Sequence, residues 1–110
     1  MNHDYPDDAD GEALRRVASG ADMSRPMNVE FVIAAPNERA VRLVAALVEP
    51  LGFAASPYYD EPTRSWSIYC ERLMFVTYAA VVSTQSELNA AVEGLGAYCD
   101  GWGTSGNPQQ

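Results

Sequence analysis

Two cysteines, one histidine and no lysine make up the supply of conventional nucleophiles and general bases in this 110-residue chain. Covalent and acid-base catalysis usually sets a His, Cys or Lys beside an orienting partner. His3 lies in a polar, acidic N-terminal stretch, while Cys70 and Cys99 sit among apolar residues with no second cysteine near either. They form neither a CxxC redox pair nor a zinc-ligand pattern, and read as reduced core thiols. Carboxylates are more plentiful. Asp4, Asp7, Asp8 and Asp10 lack the bend glycine and distal glutamate of a calcium loop, so they read as a solvated acidic tail. Asp60-Glu61 are consecutive and followed by Pro62, which suits a turn better than an acid-base pair. The expectation is a non-enzymatic chain with no cofactor and no metal.

The most informative run is Asp100-Gly101-Trp102-Gly103-Thr104. An aspartate that caps a turn, two glycines that permit positive φ and a tryptophan that packs over the sheet end give it a structural reading. A recognition role for Trp102 is compatible with that packing.

These residues need elements to hold them. A length of 110 residues with 47% apolar and 20% charged positions fits one domain, able to bury roughly two thirds of its unfolded surface. Residues 1–9 are expected to form a mobile acidic tail, residues 10–104 the single domain, and residues 105–110 a C-terminal tail. Asp10 is the expected N-cap of a short helix carrying Leu14 and Val17, which Gly20 closes and which looks like an appendage. Met27 to Ala34 alternates as a central strand, with Glu30 on its polar side. Pro36-Asn37-Glu38 opens a helix with Val41, Val44, Val48 and Leu51 on one stripe, and Gly52 stops it. Phe53 to Tyr59 reads as an edge strand because Pro57 lacks an N–H. After the Asp60-Glu61-Pro62-Thr63 turn, Arg64 to Arg72 alternates clearly, with Cys70 on one face and Tyr69 and Glu71 on the other. Thr77 to Leu95 is helical, and Ala97 to Asp100 is a short last strand.

The order predicts an α+β, ferredoxin-like split βαβ sandwich: a four-stranded antiparallel sheet with two helices on one face and an extra N-terminal helix. In that topology the first and third strands are central neighbours and the fourth pairs with the first, which separates Cys70 from Cys99. The same order invites comparison with RNA-binding modules that stack bases on an open sheet face. Here that face carries Glu30, Glu71 and Asp100 beside Tyr69 and Tyr98, and the basic and glycine residues of the third-strand signature are missing.

Seven arginines against fifteen Asp plus Glu give a net charge of -8. Such a surface repels phosphate, so direct nucleic-acid or anionic-membrane binding is disfavoured and a basic protein partner is favoured. No signal peptide or membrane-length apolar run is read, which makes a cytoplasmic location the default expectation. Pro57 argues against long pairing of the edge strand Phe53 to Tyr59, and a monomer is expected.

The Asp100-Gly101-Trp102-Gly103-Thr104 run, preceded by Tyr98-Cys99, resembles the C-terminal signature of the family of the regulator of ribonuclease activity B, an inhibitor of ribonuclease E. Asp10-Gly11-Glu12-Ala13-Leu14, Gly20-Ala21-Asp22, Val29-Glu30-Phe31, Leu51-Gly52-Phe53, and Tyr59-Asp60-Glu61 before Trp66-Ser67 are similar to further family blocks in the same order. The chain differs at Cys99, where tyrosine is common in the family, and at Phe75-Val76, which lacks the usual proline before the last helix. The resemblance covers about residues 10 to 104. It implies a ferredoxin-like, non-enzymatic protein that binds a ribonuclease or its basic noncatalytic scaffold region and slows RNA turnover. Glu30, Asp60, Glu61, Glu71, Asp100 and Trp102 are the candidate protein contacts. An acidic immunity or antitoxin-like protein that neutralises a basic toxin is the competing reading, and a neighbouring toxin gene would favour it.

Overall fold

The computed structural model describes residues 5–107; His3, Asp4 and positions 108–110 of the C-terminal tail lie outside the described residues. The element order is α1 (Ala9–Ala18), β1 (Met27–Ala35), α2 (Glu38–Val48), a short 3-10 turn (Glu49–Leu51), β2 (Ala54–Asp60), β3 (Ser65–Met74), α3 (Tyr78–Val92), a second 3-10 turn (Glu93–Leu95) and β4 (Tyr98–Thr104).

One sheet runs β2-β3-β1-β4, with every neighbouring pair antiparallel. As expected, β1 and β3 are central and β4 pairs with β1. The edge position of β2 follows from Pro57, whose missing N–H costs little where no further strand waits to accept it.

Each helix begins where a side chain can replace the absent intrahelical acceptor. Asn37 accepts from Ala40 N at 2.8 Å to start α2, and Thr77 accepts from Ala80 N at 3.0 Å to start α3. Pro50 is accommodated by the tighter turn Glu49–Leu51, and Gly52 follows in the left-handed conformation at φ 97°.

Alternation decides which side of the sheet is covered. Met27, Val29, Phe31 and Ile33 of β1 are fully buried, as are Ile68 and Cys70 of β3. They share one apolar cluster with Val41, Val44 and Val48 of α2 and with Val81, Leu88 and Val92 of α3. Arg72 also falls on this covered side. Its guanidinium lies 4.4 Å from the Phe53 ring centroid and donates to Leu51 O and Thr84 Oγ1 at 3.2 and 3.3 Å. Among the described residues no buried side-chain nitrogen or oxygen lacks a hydrogen-bond partner.

The N-terminus departs from the sequence reading. The cap of α1 is Asp8, which accepts from Gly11 N at 2.8 Å, and Asp10 lies inside the helix. Nor is the helix an appendage, because Leu14 is fully buried in the common cluster and Tyr5 packs against it. A glycine is required at position 11, where a Cβ would come within 1.8 Å of Pro6 O.

The C-terminus departs too. Asp100 to Thr104 is strand rather than turn, so β4 is longer than expected. The register shifts between Val32, which faces Gly101, and Ile33, which faces Cys99; Asp100 is left without a direct partner. Gly101 takes φ 139° at this bulge, a value a side chain would resist. Beyond β4, Asn107 accepts from Asp22 N at 2.7 Å and donates to Asp22 O and Pro26 O at 3.1 and 3.2 Å. The end of the domain is thereby tied to the loop that precedes β1.

Candidate protein-interaction site

The open face of the sheet is built from residues that alternation turns away from the helices. Strand pairing places them in rungs across β2, β3, β1 and β4. One rung reads Ala54, Glu71, Glu30, Gly103; the next Ser56, Tyr69, Val32, Gly101; the third Tyr58, Ser67, Ala34, Tyr98. Glu30 and Glu71 are direct partners and both are exposed. Directly opposed like charges destabilise an antiparallel pair. Neither carboxylate makes a hydrogen bond or ion pair among the described residues. The flanking Ala54 and Gly103 leave them accessible, and a cleft of about 250 Å³ is lined by Asn28, Glu30, Glu71, Gly103, Thr104 and Ser105.

The tyrosines form the opposite end of the same face. Tyr58 and Tyr69 meet edge to face with ring centroids 5.9 Å apart. Tyr58 and Tyr98 remain about half exposed, at 47% and 54%. Leu73, beyond Glu71 on β3, is 54% exposed. The face therefore combines apolar or aromatic area at both ends with negative charge between.

None of the seven arginines occupies an outward-facing strand position on this face. Arg15 and Arg16 lie on α1, Arg25 in the loop before β1, Arg39 and Arg42 on α2, and Arg64 in the β2–β3 turn; Arg72 points to the covered side.

The six residues singled out in the sequence do not form one site. Glu30 and Glu71 come together, and Asp100 is exposed at the bulge of the adjacent edge strand. Asp60 and Glu61 lie at the far end of β2, since Ala54 faces Glu71 while Asp60 faces Ser65. Asp60 is engaged in its turn, accepting from Thr63 N at 3.3 Å, from the Thr63 hydroxyl and from Tyr58 Oη at 3.4 Å. Trp102 belongs to the covered side, opposite Phe31 and packed against the core.

Trp102 joins a second constellation, one the sequence does not announce. Its Nε1 donates to Asp10 Oδ1 at 3.0 Å, and Gln85 Nε2 donates to Asp10 Oδ2 at 3.2 Å. Two residues earlier, at the cap of α1, Asp8 Oδ2 accepts from Tyr78 Oη at 2.6 Å. The Tyr78 bond is the main cause holding the Asp8 carboxyl below its ordinary value, and the same bond raises the Tyr78 phenol. Two carboxylates thus lock α1 onto α3 and β4.

The covered side also holds both thiols. Burial pushes Cys70 up to about 12 and raises Cys99 as well, so neither is a thiolate near neutral pH. Among the described residues no group of three or more His, Cys, Asp or Glu side chains could hold a metal ion. Among them, too, no helix is long and apolar enough to cross a membrane.

The family model described as regulator of ribonuclease activity B matches residues 7–104. The chain belongs to that family. The match starts one residue before the cap of α1 and ends on the last residue of β4, so it takes in both halves of the Asp10–Trp102 lock. Two widely separated blocks of regulator of ribonuclease activity B resemblance, Asp10-Gly11 and Asp100-Gly101-Trp102, are thus one structural unit, hydrogen-bonded side chain to side chain. No curated protein sequence matches the chain.

Proposed function

We propose that this chain is a non-enzymatic regulator that binds a ribonuclease of the ribonuclease E type and slows RNA degradation. The observation that carries the reading is the family match over residues 7–104. The net charge of -8 supports a basic protein partner, such as the enzyme's noncatalytic scaffold region, over direct contact with RNA. The β2-β3-β1-β4 order supports a ferredoxin-like scaffold spanning about residues 10–104. In this reading the protein works as a cytoplasmic monomer, without metal or cofactor. Glu30, Glu71 and Asp100 are the contacts best placed to meet a partner, while Asp60 serves its turn and Trp102 serves the lock.

The test is reconstitution. The purified chain is added to a ribonuclease of this type acting on a structured RNA, at low and moderate salt, with full-length enzyme and with enzyme lacking its scaffold. The expected result is slower cleavage by the full-length enzyme, weaker inhibition as salt rises and little inhibition of the truncated enzyme. Unchanged cleavage and no complex with the full-length enzyme at low salt would refute the proposal.

A further inference from the structure

We infer that the open sheet face reads arginine: the opposed carboxylates of Glu30 and Glu71 receive the guanidinium of an arginine-bearing segment of a protein partner. This rests on the protein-binding reading above and adds which face binds and what it selects. Three observations carry it. The rung Ala54, Glu71, Glu30, Gly103 sets two unpaired carboxylates side by side between two residues too small to cover them. No arginine occupies an outward-facing strand position on this face, and among the described residues none pairs with either carboxylate, so the charge is left for an outside cation. Tyr69, two residues along β3 on the same side, offers an aromatic surface within about 7 Å along the strand.

The chemistry selects among cations. A guanidinium presents five N–H donors in a planar fork and can satisfy carboxylates on neighbouring strands at once, whereas an ammonium is a compact, strongly hydrated point charge. A calcium ion takes six to eight oxygen ligands, and the described residues supply two carboxylates here. Phosphate-bearing ligands meet repulsion. The pair is also frustrated in the free protein, because opposed glutamates cost stability that a bound guanidinium recovers.

The experiment measures binding of the full chain to a fluorescent synthetic peptide with arginines spaced by serines, and to the same peptide with lysines, by anisotropy at low salt. Wild type should bind the arginine peptide several-fold more tightly than the lysine peptide. Glu30→Gln with Glu71→Gln should weaken the arginine peptide roughly tenfold and erase the preference. The control, Glu87→Gln with Glu93→Gln, removes the same charge from the α3 side and should keep the preference. The Glu30/Glu71 variant should also melt at or above the wild-type temperature, which separates lost recognition from lost fold. Equal binding of the two peptides, or equal losses in both variants, would overturn the inference by reducing it to net charge.

Capture of the ribonuclease separates this inference from the reading beneath it. If wild type captures the enzyme and the Glu30/Glu71 variant captures it equally well, the face assignment fails and the regulatory role stands. If wild type prefers arginine peptide but captures no ribonuclease, the regulatory role fails and the face assignment stands.

Discussion

The two sides of the sheet use the same functional group in opposite ways. On the covered side Asp8 and Asp10 are tied to Tyr78, Gln85 and Trp102, and their charge closes the structure. On the open side Glu30 and Glu71 face each other with no hydrogen-bond or ion-pair partner among the described residues, and their charge costs stability. Residue type therefore says little about what a carboxylate does here; the hydrogen bonds it receives separate a structural acid from an available one.

The sharpest way to break this contrast is to loosen the covered side. Leu14→Ala should cost about 2–5 kcal/mol if α1 is part of the core. A melting temperature within a degree of wild type would return α1 to the status of an appendage. Trp102→Phe keeps most of the ring but removes the Nε1 donor from Asp10, so a loss of roughly 1.5–3 kcal/mol is expected from denaturant titration. Combining it with Asp10→Asn should give less than the sum of the two losses, because both changes act on one bond.

Alkali probes the covered side more gently. Cys70 ionises at 9.0 in its ordinary environment and at about 12 in the fold. A raised value means its contribution is intact below pH 9 and is lost as pH rises from there through about 12. The melting temperature should decline over that window, and the decline should be shallower in Cys70→Ala, although that variant starts lower. The smallest effect belongs to the open side and carries the opposite sign. Glu71→Gln should stabilise the fold by up to about 1 kcal/mol, as relief of an opposed like-charge pair. A measurable loss instead would mean that Glu71 has a structural partner and that the two sides do not differ as described.

Much of this architecture was legible in the sequence, for reasons that differ by element. The alternation in β1 and β3 and the stripe Val41, Val44, Val48 are local patterns, and they located the central strands and α2 correctly. Asn37 and Thr77 mark the starts of α2 and α3 just before the apolar periodicity begins. That Glu30 and Glu71 share the open face followed from alternation and strand order, but their direct pairing, and the absence of an ion-pair partner among the described residues, needed the fold. Asp8 was hidden as the cap of α1 because a run of aspartates offers several equivalent candidates; Tyr78, far along the chain, helps to distinguish it. The Asp10–Trp102 lock was invisible for the same reason, although its two halves stood in the blocks that carried the family resemblance. In β4, glycines at 101 and 103 mimic a turn, and only pairing with β1 shows that the strand continues.

The bulge at Asp100 has a consequence best put as a matter of phase. Strict two-residue alternation from Tyr98 would send Trp102 outward and Gly101 inward; the one unpaired residue resets the count, so the indole meets the core and the glycines meet solvent. Pairing Asp100 with Val32 in a regular ladder would reverse that assignment in a single step, placing a bulky ring beside Glu30 and withdrawing the donor that holds Asp10, whereas deleting Asp100 would leave Trp102 opposite Phe31. One backbone irregularity thus sets both how firmly the first helix is held and how open the acidic rung remains.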